Sequence, residues 1–294
     1  WLKPLPTHES VIRCPAAVRM AVQGVIIGNT EAVEAPGQIE MGDGIMVFQT
    51  TSQCCRCCCL QPNIHWSMHD YKEDWGKDDV LPMKFTMTED APFCGRCCSY
   101  CYPGFRKTRY EVRNGTATSG PICFAHEKAW TCGKDCLVMV GDGGPLRCPC
   151  CCLLPYMDTL DEHGNMIGKS VYVCDGCLCV PKYDVQDKNG NRLYRVRPDT
   201  CVGGVCVRCR CDGKKGKCCR VPFLIRKPDP PYEPVGDAQI TDLWAGFKHE
   251  CCTNKEMYQV KFPADLTQGN SEDIKKTIIG TTLLIDITCN EQDE

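Results

Sequence analysis

Near the C-terminus, the pattern of hydrophobic and polar positions predicts a helix that must be buried on all sides. The helix spans Asp273 to Cys289, and its central apolar positions are Ile278, Ile279, Leu283, Leu284, Ile285 and Ile287. A helix that is apolar nearly all round is enclosed either by a bilayer or by the interior of a protein. A membrane span needs about 20 apolar residues. This stretch is shorter and includes Thr277, Thr281, Thr282, Thr288 and Asp286.

The helix is therefore predicted to lie inside a protein shell, although an ordinary core helix with no special role would show the same pattern. Inside a shell, the threonines can bond to backbone carbonyls one turn back. Asp286 can then find a donor on a strand or at the mouth of a barrel.

Elsewhere, the alternation of apolar and polar residues is typical of strands and turns. Residues 1–50 alternate short apolar runs with Gly, Pro and Glu, and a more regular alternation runs from Val171 to Ile225. The pair Asn189-Gly190 between two alternating runs is the strongest short-range signal for a hairpin. A calcium loop is the alternative at 187–191, but an EF-hand would need acids where Val185 and Val196 stand. Many strands and one buried helix indicate an all-β fold with a single central helix.

Several short motifs, in a consistent order, resemble the phospholipid scramblase family. The run F-P-A-D-L at 262–266, the pair I-G at 279–280 and the run L-I-D at 284–286 look like the C-terminal end of that family. The run W-A-G-F at 244–247, followed by Glu250 and Thr253, is similar to its W-x-G-x…E-x-x-T segment. The resemblance implies a closed antiparallel tubby-like β-barrel threaded by the C-terminal helix.

A cysteine-rich block that resembles one of this family occurs twice, at 91–98 and at 144–153, and the second copy is the better match. We therefore predict one scramblase-like domain over residues 1–294, with a cysteine-rich insertion around 98–147.

Composition narrows the range of functions. A net charge of -3 and a pI near 6.1 give no overall drive toward nucleic acid. The densest basic stretch, 208–227, can bind acidic headgroups or nucleic acid, but no stacking aromatic residue is interleaved before Phe223, and a solvated hairpin loop has the same composition. The sequence contains no P-loop, no G-x-S-x-G elbow and no paired-carboxylate motif, so a bond-breaking enzyme is not predicted.

Twenty-nine cysteines are the outstanding compositional feature. The spacing C-x-x-C-x-C occurs twice, and with two later cysteines it gives eight candidate zinc ligands: Cys174, Cys177, Cys179, Cys206, Cys209, Cys211, Cys218 and Cys219. Thiolates that lie within a few residues of one another chelate a soft cation without costly loop closure. Disulfides, free thiols and acylated thiols remain alternatives, because spacing does not identify the ligand.

Two further sites are implied by the family resemblance. Thioacylation, and with it reversible membrane anchoring, is implied for Cys148, Cys150, Cys151 and Cys152; structural cysteines at the barrel end are the alternative. The calcium segment of the family matches Asn254 to Tyr258, which gives Asn254, Glu256 and the downstream Asp265 as candidate ligands. Because Asn254 and Lys255 dilute its acidic character, calcium affinity is expected to be no better than millimolar, or lost.

Two classes of function follow. The first is a scramblase-like protein that binds lipid peripherally at a membrane or scrambles it with calcium. The second is a cysteine-rich structural component of a larger assembly. The expected partners are a phospholipid membrane surface or a protein assembly, without nucleic acid. The predicted location is intracellular, at a membrane or in a cytoplasmic assembly, with an extracellular disulfide-linked form as the alternative.

Overall fold

The computed structural model describes the chain in ten stretches. These are residues 40–51, 63–76, 79–92, 107–129, 154–173, 180–201, 206–210, 220–243, 256–266 and 271–290. All of them belong to one compact unit, Gln38–Glu294. The strands predicted before residue 40 lie outside the described residues. The cysteines in both copies of the cysteine-rich block lie outside them as well.

Twelve antiparallel strands of the described chain close into a barrel. They are β1 (Gly44–Gln49), β2 (His65–Asp70), β3 (Met83–Asp90), β4 (Thr108–Asn114), β5 (Phe124–Lys128), β6 (Tyr156–Leu160), β7 (Met166–Val173), β8 (Lys182–Asp187), β9 (Arg192–Pro198), β12 (Val221–Arg226), β13 (Pro234–Asp242) and β14 (Met257–Lys261). The order around the ring is β1-β14-β13-β12-β9-β8-β7-β6-β5-β4-β3-β2, and β1 pairs with both β14 and β2. Strands β10 (Thr200–Cys201) and β11 (Cys206–Val207) form a separate two-stranded ribbon.

Alternation along the strands decides which side chains enter the barrel. In β9, Tyr194 and Val196 join the core, whereas Arg195 and Arg197 take the opposite face. Successive side chains of a strand point to opposite faces of the sheet, so the inner residues of the ring form one continuous apolar core. The expected closed antiparallel barrel is confirmed.

The hairpin predicted at Asn189-Gly190 is confirmed as the turn between β8 and β9. Gly190 has a φ of 84°, a conformation that glycine adopts without strain. The Asp187 carboxylate accepts hydrogen bonds from the backbone N–H groups of Asn189 and Asn191, at 2.8 and 2.9 Å. The side chain of Asp161 caps the β6–β7 turn in the same manner.

The predicted central helix is also present. Helix α1 (Ser271–Ile285) continues into a π-helical turn (Asp286–Asn290), so it begins two residues before the predicted Asp273. It contacts β6, β7, β8 and β14, and its apolar side chains belong to the barrel core. None of the helices in the described stretches has the length and apolar character to cross a membrane.

The segment predicted as an insertion, residues 98–147, supplies β4 and β5 to the closed ring. Single-domain organisation over 1–294, and whether this segment is inserted relative to the family, stay predictions.

Candidate functional site: the enclosed helix and the barrel surface

The structure brings the six predicted residues of the central helix together inside the barrel. Ile278, Ile279 and Leu284 have no exposed surface, and the exposed fractions of the other three do not exceed 2%. These three are Leu283, Ile285 and Asp286. Burial on every side explains why the sequence of this helix is apolar nearly all round.

The threonines and the aspartate of the helix are hydrogen-bonded inside the barrel, as the sequence predicted. The hydroxyls of Thr277, Thr281, Thr282 and Thr288 donate to the carbonyl oxygens four residues earlier, at 2.7 to 3.2 Å. Asp286 accepts a hydrogen bond of 3.0 Å from the hydroxyl of Tyr258 on β14. Because a buried polar group is costly unless it is hydrogen-bonded, these contacts permit four threonines and one carboxylate in the interior.

One wall of the barrel approaches the helix very closely. A Cβ atom at Gly168 of β7 would lie 2.2 Å from the Thr277 hydroxyl oxygen, so only glycine fits there. Two residues further along β7, the Ser170 hydroxyl lies 3.1 Å from the Thr277 carbonyl oxygen and 2.8 Å from the Thr281 hydroxyl. This side of the barrel holds the helix through close packing and direct polar contact.

On the adjoining wall, a buried histidine faces the helix. The sequence analysis did not identify this histidine. His126 of β5 has no exposed surface, and its Nδ1 atom lies 3.2 Å from the Thr159 hydroxyl. A Cβ at Gly280 would be 2.9 Å from that Nδ1 atom. Burial lowers the pKa of His126 to about 3. In the sequence, the one indication that His126 is buried was its position two residues after Phe124, which places both side chains on the same face of a strand.

Two of the three predicted calcium ligands are described, and they lie on either side of β14 along the chain. Glu256 immediately precedes β14 and pairs through its backbone with Gln49, whereas Asp265 follows the far end of the strand. The five residues of strand between them span about 17 Å. The Asp265 carboxylate accepts a 3.1 Å hydrogen bond from Tyr194. Asn254 lies outside the described residues, and weak or lost calcium binding stays a prediction.

Of the eight predicted zinc ligands, the described stretches include Cys206 and Cys209, both exposed. Cys174, Cys177, Cys179, Cys211, Cys218 and Cys219 lie outside them, as do the predicted lipidation sites Cys148, Cys150, Cys151 and Cys152. Within the part of the chain that the structure describes, no three His, Cys, Asp or Glu side chains are grouped to hold a metal ion.

The described cysteines differ in chemical character. Cys201 and Cys206 are cross-strand partners in the ribbon, and the Cys201 sulfur lies 3.7 Å from the Cys206 carbonyl oxygen. Burial raises the pKa of the Cys289 thiol at the end of the helix. Because the thiolate is the metal ligand and the nucleophile, Cys289 is poorly suited to either role, whereas Cys206 and Cys209 are accessible.

We expect the purified native chain to contain about one zinc ion, bound by the cysteines of the repeated spacing. Replacing both Cys206 and Cys209 with serine should release it, because serine supplies no thiolate. Elemental analysis of the metal content measures this loss. The matched control is Cys123→Ala, since Cys123 is buried in the core away from that spacing. Metal-free protein with a full count of disulfides would contradict zinc binding.

Three relatives and one family model relate this chain to known proteins. The model of the family described as Scramblase matches residues 143–292, half of the chain. "Phospholipid scramblase family member 5" of Homo sapiens is 25% identical over 196 residues, covering 60% of this chain and 64% of the relative. "Phospholipid scramblase 1" of Homo sapiens is 26% identical over 197 residues, covering 60% and 55%. "Phospholipid scramblase 2" of Bos taurus is 25% identical over 197 residues, covering 60% and 59%.

The match thus spans between about half and two thirds of the length of these relatives. No solved structure matches the chain significantly. The matched region includes β6 to β14 and the enclosed helix, so the resemblance in sequence covers the elements that define the barrel's helix-bearing wall. From this match and from the closed barrel around its C-terminal helix, the chain belongs to the scramblase family.

Proposed function

We propose that this protein binds phospholipid membranes at their surface and keeps its central helix inside the barrel while it does so. The relatives are named as phospholipid scramblases, which supports a phospholipid ligand. The observation that carries the proposal is the complete enclosure of Ile278, Ile279 and Leu284. A helix in this position is part of the scaffold, and lipid contact is left to the outer surface.

Exposing the helix to lipid would have a high energetic cost. Tyr258 would have to release Asp286, and a charged residue near the bilayer centre costs at least about 2.5 kcal/mol. The contacts of Ser170 with Thr277 and Thr281 would break at the same time. Lipid scrambling by the purified protein is therefore expected to be slow or absent, with weak calcium dependence at most. Thioacyl chains on the cysteines at 148–152 would strengthen the membrane attachment.

We expect the full chain to sediment with phospholipid vesicles and to leave the transbilayer exchange of labelled lipid at the rate of protein-free vesicles, with or without calcium. A photo-reactive residue at Leu284 should crosslink to other parts of the protein and not to acyl chains. The control position is Val80, whose side chain is 97% exposed and reports the background of an accessible site.

Rapid calcium-dependent exchange together with crosslinks from position 284 to acyl chains would overturn the enclosed-helix mechanism. Failure of the protein to bind any vesicle would instead overturn the membrane proposal and favour a cysteine-rich structural component of an assembly.

A further inference from the structure

The outer face of β9 and β12, with the adjoining ribbon, carries a group of arginines that we call the arginine surface. It consists of Arg197, Arg208, Arg210 and Arg226. On β9, Tyr194 and Val196 point into the core and Arg197 points out, and on β12 the inward residues are Phe223 and Ile225. Arg197 pairs with Leu224 across the ladder and Arg226 pairs with Arg195, so Arg197 and Arg226 are diagonal neighbours.

Acidic groups neutralise this surface only in part. The neighbouring Arg195 is already paired with Asp184, at 2.9 and 3.2 Å. Arg197 donates to the Thr200 hydroxyl at 3.1 Å, and Arg226 donates to the Tyr232 carbonyl at 3.0 Å. Both partners are neutral.

Arg210 pairs with the Asp199 carboxylate at 3.2 Å. Among the described side chains, this is the one ion pair that the four arginines of the surface make. The arginine surface therefore presents an excess of positive charge.

Arg197 and Arg226 also lie close enough to repel each other. Burial lowers the pKa of Arg226, and so does the positive charge of Arg197, whereas the nearby Asp199 carboxylate acts in the opposite direction. The Nε atom of each is buried and has no hydrogen-bond partner among the described residues. An anion that contacted the outer N–H groups of both guanidinium groups would offset this repulsion.

The ribbon extends the arginine surface and adds an apolar side chain to it. The Arg208 N–H donates to the Asp199 carbonyl, and the Asp199 N–H donates to the Pro222 carbonyl, each at 2.8 Å. Val207, next to Arg208, is 41% exposed. Backbone hydrogen bonds between Arg210 and Arg220 hold together the ends of a nine-residue segment whose sequence contains Lys214, Lys215 and Lys217.

We propose that the arginine surface docks on anionic phospholipid headgroups, with Arg197 and Arg226 binding the phosphate and Val207 entering the interfacial layer. Guanidinium groups bind phosphate through paired, charge-assisted hydrogen bonds. Nucleic acid would be expected to use exposed aromatic side chains for stacking. Here Phe223 is buried and Tyr232 packs over Arg195 with its ring centroid at 4.6 Å, so the observations favour a membrane. This inference rests on the proposed function and names the part of the molecule that performs it.

The test measures binding of the full chain to neutral phosphatidylcholine vesicles and to vesicles that also contain an anionic phospholipid. We expect the anionic vesicles to bind more tightly, with affinity falling as salt concentration rises. Each basic residue near an anionic surface contributes roughly fivefold, so Arg197→Gln combined with Arg226→Gln should weaken binding about 25-fold. Arg208→Gln should weaken it about fivefold, and the backbone hydrogen bond of Arg208 to Asp199 does not depend on the side chain.

The matched control is Lys84→Gln combined with Arg109→Gln. It removes the same charge from β3 and β4, on the opposite side of the ring, and should bind like the unmodified protein. If the control and test variants lost vesicle affinity equally, or if neither lost any, the proposed role of the arginine surface would be wrong. The proposal that the protein binds membranes would still stand. Vesicle binding that is unchanged in the test variants, with loss of binding to an oligonucleotide, would reassign the surface to nucleic acid. Absence of binding to every vesicle would overturn both this inference and the proposed function.

Discussion

At pH 4.5 the free energy of unfolding is expected to be about 3 kcal/mol lower than at pH 7 because of one side chain, His126. Burial lowers the pKa of His126 to about 3 in the folded protein, from the ordinary value of 6.5. Above pH 6.5 the imidazole is neutral in both states, and it has no effect on the pH dependence. Between pH 6.5 and 3 the unfolded chain takes up a proton that the folded protein cannot, so stability falls by about 1.4 kcal/mol per pH unit.

The position of His126 explains why it cannot take up that proton. Its ring lies edge-on to Phe124 with ring centroids 5.4 Å apart, and Gly280 of the helix lies against its Nδ1 atom. Across the ladder it faces Tyr110 of β4. On the same side of the helix, the Lys276 ammonium lies 5.8 Å from the Phe124 centroid and cannot stabilise a second positive charge.

Denaturant unfolding of the unmodified protein and of His126→Gln at pH 7 and pH 4.5 would measure this contribution. Whatever the stability of the variant at pH 7, its loss of unfolding free energy on acidification should be smaller by about 3 kcal/mol. The control is His163→Gln, because the His163 side chain is 75% exposed in a turn. An equal loss on acidification in His126→Gln and the unmodified protein would show that other groups govern the acid response.

Replacing Gly168 with alanine is expected to lower the free energy of unfolding by about 2 to 3 kcal/mol, as overpacking of a full interior does. The added Cβ would lie 2.2 Å from the Thr277 hydroxyl oxygen and 3.1 Å from its Cγ2 atom. Thr277 cannot move aside readily, since its hydroxyl donates to the Asp273 carbonyl at 2.8 Å and it is enclosed on a helix. Without this contact, alanine in a strand would be slightly more stable than glycine.

A double-mutant cycle tests whether that contact is the cause. Thr277→Ala removes the two clashing Thr277 atoms and leaves the Gln186 carbonyl oxygen 3.0 Å from the added Cβ, so Gly168→Ala should cost only about 1 kcal/mol in that background. The matched control background is Thr282→Ala, a buried helix threonine with the same type of backbone hydrogen bond, to Ile278. A coupling energy near zero between positions 168 and 277, or equal rescue by Thr282→Ala, would place the strain elsewhere.

Elements with a local physical cause could be predicted from the amino-acid sequence. The apolar run around Leu284 required enclosure, and the threonines could only be tolerated through bonds to carbonyls one turn back, which is what they make. Asn189-Gly190 determined a hairpin because its backbone conformation is set within the turn. The family motifs added that the strands close into a barrel around the helix.

The contacts between residues across the barrel could not be predicted from the sequence, because they depend on the packing of the folded chain. Gly168 and Thr277 are far apart in sequence, and their contact depends on how β7 and the helix lie against each other. Glu256 and Asp265 are near in sequence, yet a strand separates them. The ladder between β9 and β12 likewise places Arg197 beside Arg226, although residues of the ribbon intervene along the chain. The physical reason is that backbone periodicity fixes the face on which a side chain lies, whereas strand register and ring closure fix its neighbours.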